Sequence, residues 1–132
     1  MDDNGFDRRD ILKALAVLGF SFTDAQAQTR AENAAKVDPR SYRIVLENDK
    51  VRVLEYVSRP RMGVCGTGMH SHPDHVTVTL TEVKARVKLP DGKTFVAENK
   101  AGDAFFEPAV THSVENIGGR DVRSYLIELK KV

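Results

Sequence analysis

The chain has 132 residues and a formal net charge of +1, with 41% hydrophobic and 30% charged residues. This length is enough for one domain, and the composition is ordinary for a globular protein. A charge this close to zero gives no electrostatic argument for a nucleic-acid partner, and no apolar run reaches the roughly 18 residues that a membrane span needs. The single cysteine, Cys65, excludes an intramolecular disulfide framework and a cysteine-rich zinc site.

Residues 1–27 predict an export signal peptide. Arg8-Arg9 form a pair, a weak apolar stretch follows over residues 14–22, and Ala25-Gln26-Ala27 is a small-x-small site of the kind that signal peptidase cuts. The segment resembles a twin-arginine signal. We therefore expect cleavage near Ala27 and a periplasmic or secreted protein. The alternative is an amphipathic N-terminal helix that packs on the chain's own domain in the cytoplasm.

The rest of the chain predicts an arm followed by a barrel. Residues 28–41 are polar, without sustained apolar periodicity, which predicts a linker or an N-terminal arm with a short helix at most. Residues 42–132 form a barrel domain of about eight short strands with turns every 8–12 residues, typical of an all-β sandwich or barrel. Asp91-Gly92 between two alternating segments is a strong hairpin signal. The predicted strands cover residues 44–46, 51–57, 76–80, 83–89, 94–97, 104–106, 110–114 and 122–129.

Three of the four histidines are clustered between residues 70 and 75. Imidazole is the commonest protein metal ligand, so the cluster indicates a mononuclear metal site. His70 and His72 point to the same face of an extended strand and can reach one ion. His75 needs a break at Pro73-Asp74 to face the same way, and Thr77 and Thr79 would then face inward with it. The alternative is a set of surface-loop histidines beside a proline turn.

These residues, together with a second motif later in the chain, resemble the cupin superfamily. The first cupin motif has a glycine-containing lead-in, His-x-His and an apolar strand, and the second runs from a Gly through a Pro to a His and an Asn. The matching residues here are Gly66, Gly68, His70, His72, then Gly102, Pro108, His112 and Asn116. The resemblance covers roughly residues 43–130. It implies a double-stranded β-helix, or jelly-roll, barrel in which His112 returns to the first cluster as a metal ligand. The family's glutamate ligand is absent, and His75 stands near its place.

The resemblance also implies a cofactor and a class of reaction. The predicted cofactor is one divalent transition metal held by His70, His72, His112 and His75, with iron, nickel, manganese, copper or zinc all compatible with imidazole ligands. Open coordination positions allow dioxygen chemistry on a redox metal and Lewis-acid chemistry on zinc. We expect a metal-dependent oxygenase acting on a small organic substrate, ahead of an isomerase or lyase. The alternative is a non-catalytic metal- or ligand-binding module. Related cupins also imply a homodimer.

Other side chains are weaker candidates. Cys65 is either a substrate-side thiol, a soft ligand or a packed loop cysteine. Asp74 either holds a ligand histidine by a hydrogen bond or is an ordinary turn residue. Several other groups are candidates by their position alone. Tyr56 and Tyr125 are candidate cavity-facing rings, and Glu55, Glu82 and Glu128 are candidate proton acceptors. Glu107 and Asn116 are predicted to be structural, and Phe95, Phe105 and Phe106 are predicted to lie in the core.

Overall fold

In the computed structural model, the described residues are 31–60 and 67–131. The predicted signal peptide and Cys65 lie outside these ranges. The elements are α1 (Ala34–Val37), β1 (Tyr42–Glu47), β2 (Val51–Ser58), β3 (His70–His72), β4 (His75–Thr79), β5 (Val83–Lys88), β6 (Thr94–Asn99), β7 (Ala104–Glu107), β8 (Val110–Asn116) and β9 (Val122–Leu129). No helix in the described ranges is long and apolar enough to cross a membrane.

The strands form two antiparallel sheets, which confirms the all-β prediction. One sheet has the order β1-β2-β9-β4-β7, and the other has the order β3-β8-β5-β6. The chain passes from the second sheet to the first between β3 and β4, at Pro73-Asp74. Proline lacks the N–H that would continue a ladder, so the break comes where a strand cannot simply run on. This corner places the His70–His72 strand and His75 in different sheets.

The predicted hairpin at Asp91-Gly92 is confirmed. It joins β5 to β6, whose last register pair is Lys88 with Thr94. Gly92 has a φ of +91°, which glycine adopts without steric cost. The Asp91 carboxylate accepts a hydrogen bond of 2.9 Å from the Lys93 N–H, which closes the turn.

The inward faces of two strands are not those of their valines. On β4 the buried positions are His75, Thr77 and Thr79, so the inward phase expected from His75 is confirmed. On β2, Leu54 and Tyr56 face the core while Val51, Val53 and Val57 are half-buried. Strand side chains alternate strictly, so the phase set by one inward residue fixes all the others.

The core cluster joins the N-terminal arm to the barrel. Ala34 of α1 is fully buried, and it packs with buried barrel residues Tyr42, Leu54, Tyr56, Val122 and Leu126. The α1 helix therefore lies against the barrel, in the segment that sequence predicts as a linker or an arm.

Candidate metal centre

Three histidines from two neighbouring strands converge inside the barrel. His70 on β3 and His112 on β8 are direct register partners, and His72 follows two residues along β3. One ring nitrogen from each lies within 4.8 Å of the others. All three side chains are buried. The antiparallel pairing of β3 with β8 thus brings together the two halves of the predicted site.

The ring nitrogens of His70 and His72 are arranged as in metal ligands. His70 Nδ1–H donates to the Gly68 carbonyl at 2.7 Å, and His72 Nδ1–H donates to Glu128 Oε2 at 2.7 Å. Within the described residues, Nε2 of each ring is buried and has no hydrogen-bond partner. Leaving a buried polar atom unpaired is costly, so such atoms point to a ligand. Metal-binding histidines characteristically fix their second N–H on a carbonyl or carboxylate in this way. The residues present therefore fit a metal ion.

The electrostatics of the cluster keep these imidazoles neutral. Burial lowers the pKa of His70 to about 4 and that of His112 to about 3. Burial, reinforced by repulsion from the neighbouring histidines, also lowers the pKa of His72 well below its usual value. A neutral ring keeps its lone pair, and metal binding then needs no deprotonation of these ligands near neutral pH.

His75 lies beside this group and is engaged on both ring nitrogens. It is the register partner of Glu107, across β4 and β7. Its Nδ1–H donates to the Pro73 carbonyl at 2.7 Å, and its Nε2 lies 3.0 Å from Glu107 Oε1. Burial alone would lower the pKa of His75, but the hydrogen bond to Glu107 and its charge raise it. Burial alone would raise the pKa of Glu107, but the hydrogen bond and the charge of His75 lower it. His75 and Glu107 thus form an imidazolium–carboxylate pair. The ring centroid of His75 lies 5.0 Å from that of His72.

Glu128 is a buried carboxylate. The sequence indicated it only as one of three candidate proton acceptors, with Glu55 and Glu82. It is 1% exposed, and Oε2 accepts the Nδ1–H of His72. Burial raises its pKa, while a hydrogen bond from Asn33 opposes that rise. The missed signal is its phase on β9, where Ser124, Leu126 and Glu128 all point inward.

The other two candidate carboxylates lie away from the histidines. Glu55 is paired with Arg43 and Arg123, and Glu82 with Arg120. Neither carboxylate lines the cavity beside the histidines, so neither is placed to accept a proton from a molecule bound there.

A cavity of about 260 Å³ adjoins the histidines between the two sheets. One part of its wall carries His72, His75, His112 and Glu107, and most of the remainder is apolar. Its apolar and aromatic lining includes Tyr42, Tyr56, Val87, Phe95, Phe105 and Leu126. An apolar cavity with a few convergent polar groups is the usual form of a small-molecule site.

Two tyrosines close this part of the cavity, and one of them was not foreseen. Tyr56 lines the wall, as the sequence allowed. Tyr42 was predicted only as the first residue of the barrel domain, but its ring centroid lies 5.0 Å from that of His70 and 5.5 Å from that of His72. Burial raises the pKa of Tyr42 well above its usual value, so its phenol stays neutral. Tyr125 instead lies on the outer face, with the Arg123 guanidinium over its ring.

Asn99 marks another end of the cavity. It lines both the histidine cavity and a larger outer depression of about 570 Å³. Asn99 is 6% exposed, and its Nδ2 has no hydrogen-bond partner among the described residues. On β5, Val83 is the register partner of Asn99. Lys88, five residues further along β5, pairs with Ser113, which is next to His112. The distance along the strands between Asn99 and the level of Ser113, next to His112, is therefore roughly 16–17 Å.

Two motif residues are structural. Asp74 Oδ1 accepts the Ala109 N–H at 2.8 Å, which makes Asp74 a turn residue that ties the corner to β8. Asn116 donates to the Arg120 carbonyl at 2.7 Å and accepts from the Gly118 N–H, closing the turn before β9.

No protein-family profile matches this chain, and no curated protein matches it. Solved structures do match. A cupin domain from Bordetella pertussis Tohama I is 26% identical, with a TM-score of 0.61 over 68% of this chain and 92% of that one. The chain has the cupin fold. An RmlC-like cupin with a double-stranded β-helix from Methanocaldococcus jannaschii is 13% identical, with a TM-score of 0.51 over 67% of this chain and 78% of that one.

A further neighbour resembles this chain in fold without indicating a reaction. The polyketide cyclase RemF from Streptomyces resistomycificus is 23% identical, with a TM-score of 0.50 over 68% of this chain and 64% of that one. Identity this low shows the fold alone. A cupin barrel hosts many chemistries, so function has to be argued from the site.

Proposed function

We propose that this cupin binds one divalent transition metal and acts on a small organic molecule in the adjoining cavity, as a mononuclear metal-dependent oxygenase. The ligands are Nε2 of His70 and His72 and a ring nitrogen of His112. The observation that carries the proposal is the pair of buried, unpartnered Nε2 atoms converging on a third imidazole. His75 is the predicted fourth ligand, and it can join only if its Nε2 leaves Glu107.

The chain's own residues suit an anionic oxygen substrate. A bound ion supplies dioxygen chemistry if it is iron, nickel, manganese or copper, and Lewis acidity if it is zinc. Because the three imidazoles are neutral, they leave the charge of a divalent ion uncompensated, which favours an enolate, phenolate or carboxylate oxygen beside it. The apolar walls exclude water from the rest of the molecule.

Glu107 is the proton acceptor that faces the cavity beside this centre. It is the one carboxylate that lines the histidine cavity within the described residues. The His75 imidazolium holds it in place, and its oxygen can accept a proton from a substrate hydroxyl within hydrogen-bond reach. Proton transfer without dioxygen would make the protein an isomerase or a lyase, and Glu107 is the group that supports that second reaction class.

A non-catalytic binding module is the other candidate. The observation that favours it is the same ion pair, because a carboxylate held by an imidazolium is a weaker base than a free one. In that case the cavity would hold a ligand without turnover.

Metal analysis combined with oxygen uptake separates these functions. The purified protein is assayed for metal content and then loaded with iron, nickel, manganese or copper. Oxygen consumption is followed with catechols, flavonols, thiols and diketones. Uptake with one metal and one substrate class supports the oxygenase. Product formed without oxygen uptake supports the isomerase or lyase. Bound metal without turnover supports the binding module. Failure to bind any of these metals or zinc contradicts the oxygenase and the metal-dependent isomerase or lyase.

We also propose that the protein is exported by the twin-arginine route. The support is the order of features in residues 1–27, namely Arg8-Arg9, the weak apolar stretch and Ala25-Gln26-Ala27. Cell fractionation with N-terminal sequencing is expected to find a periplasmic chain beginning near Gln28. A full-length chain confined to the cytoplasm would refute the export proposal.

A homodimer is our proposal for the assembly. Five apolar side chains form a continuous row of register partners across all strands of the five-stranded sheet, none of them buried: Leu46, Val53, Ile127, Val76 and Phe106. Leu46 is exposed and the other four are half-buried, and a contiguous apolar surface of this kind is typical of an interface. Light scattering is expected to give twice the monomer mass, and Ile127→Lys, in the middle of the row, should give a monomer. A monomeric wild-type protein would contradict the proposal.

A further inference from the structure

The N-terminal arm is attached to the strand that carries two of the metal ligands. The Ser71 N–H donates to the Glu32 carbonyl at 2.8 Å, and Asn33 forms an isolated bridge with Ser71. Ser71 lies between His70 and His72 in the chain. The backbone of the arm therefore runs beside β3 at the position where the two imidazoles leave it.

The Asn33 side chain uses both ends of its amide. Its Oδ1 accepts the Ala35 N–H at 3.0 Å and so caps α1. Its Nδ2 donates to Glu128, at 3.1 Å from Oε1 and 3.2 Å from Oε2. Because one end must accept and the other must donate, these partners fix the orientation of the amide.

Asn33, Glu128 and His72 consequently form a chain of hydrogen bonds that ends at the metal centre. Oε2 of Glu128 receives a bond from Asn33 and also the Nδ1–H of His72 at 2.7 Å. We propose that Asn33 is a positioning residue for the metal centre: it orients the Glu128 carboxylate, which in turn sets the tautomer and direction of the His72 ring. This inference rests on the proposed metal-binding function.

The physical basis is the shortage of partners for a buried carboxylate. Glu128 is almost completely buried. Apart from the charge of His75, the cation that acts on it is Arg52, whose Nη1 lies 4.0 Å from Oε1. The amide of Asn33 is its closest fixed donor apart from His72 itself. Without this donor, Glu128 could turn away from His72, and the Nε2 lone pair of His72 would lose its fixed direction.

Asn33→Asp is the sharpest test, with cobalt(II) as the probe. Aspartate caps a helix as well as asparagine does, so α1 keeps its N-cap. The donor is replaced by a second carboxylate facing Glu128. Titration of the metal-free protein with cobalt(II) should show about tenfold weaker binding, the low end of the range for losing an outer hydrogen-bond partner. The visible spectrum of the bound cobalt(II) should shift, because the His72 ring is no longer fixed.

Two further variants separate positioning from a merely structural role. Ala34→Gly weakens α1 and its packing but keeps the Asn33 amide, so it should lower thermal stability while leaving cobalt(II) affinity and spectrum unchanged. Asn33→Asp combined with Glu128→Gln reverses the polarity of the pair at constant charge. The Gln side chain at position 128 can donate to the aspartate and still accept from His72. The double variant should therefore bind cobalt(II) more tightly than Asn33→Asp alone.

The outcomes distinguish this inference from the proposed function. If wild-type protein binds cobalt(II) and Asn33→Asp binds it equally well with the same spectrum, the positioning role is refuted while the metal site stands. Equal losses in Asn33→Asp and Ala34→Gly would also refute it, since they would reflect the arm as a whole. Should Asn33→Asp not fold, Asn33→Ser, which keeps a cap and lacks the donor, is subject to the same criteria. A wild-type protein that binds no cobalt(II) contradicts both proposals.

Discussion

Substitution of His112→Ala is expected to reduce metal affinity by more than about a hundredfold, since even the loss of an outer partner of a metal ligand costs 10–100-fold. His112 is the one ligand supplied by β8, and it lies opposite His70. Without it, two imidazoles on β3 remain, and they cannot enclose an ion. Metal content after purification and calorimetric titration with zinc measure the loss.

A core variant away from the histidines controls for destabilisation. Val122→Ala removes two methyl groups from a buried residue at the start of β9, which lines the outer depression rather than the histidine cavity. It should lower the melting temperature and keep the metal affinity of the wild type. If His112→Ala retains metal, or if Val122→Ala loses it to the same degree, the convergent site is wrong.

Replacement of His75→Ala should destabilise the metal-free protein by about 3 kcal/mol, the cost of leaving one member of a buried ion pair without its partner. The carboxylate left behind is Glu107, whose side chain is 19% exposed. Urea denaturation gives the free energy of unfolding. In a Glu107→Gln background the same substitution should cost clearly less, because no charge is stranded, and the double-mutant cycle isolates this coupling. Equal costs in both backgrounds would show that the pair contributes nothing.

The same variant decides how many histidines hold the metal. Both ring nitrogens of His75 are already engaged, by the Pro73 carbonyl and by Glu107. We therefore expect His75→Ala to weaken zinc binding by no more than about tenfold, the size of a change beside the ligands rather than in them. A loss as large as that of His112→Ala would make His75 a full ligand, released from Glu107 when metal binds.

The corner at Pro73-Asp74 explains why one short stretch supplies two different functions. Before it, β3 pairs with β8 and presents His70 and His72. After it, β4 pairs with β7 and β9, so His75 meets Glu107 instead. His72 and His75 are therefore only three residues apart in the chain but lie in different sheets.

Part of the site was within reach of sequence. The two-residue spacing of His70 and His72 fixes their common face, and the second motif places His112 on a later strand. The inward phase of Thr77 and Thr79 follows from His75 by strict alternation. Glu128 could have been found in the same way, as the charged member of an inward-facing row on β9.

Other features depend on contacts between residues far apart in the chain. Asn33 lies in a segment without periodicity, and only the packing of α1 brings its amide to Glu128, 95 residues later. Tyr42 reads as the first residue of the barrel domain, and its place beside His70 depends on how the two sheets close. No local pattern encodes such distances.

The sequence by itself determined the all-β architecture, the Asp91-Gly92 hairpin and the common face of His70 and His72, because alternation and turn chemistry are local properties of the chain. The return of His112 to that face was implied only by the cupin resemblance. Only the tertiary structure decided which groups surround those histidines. Strand register across the two sheets paired His75 with Glu107 and His70 with His112, and burial then fixed their charges. Those pairings arise from the packing of the whole barrel, which no segment specifies alone.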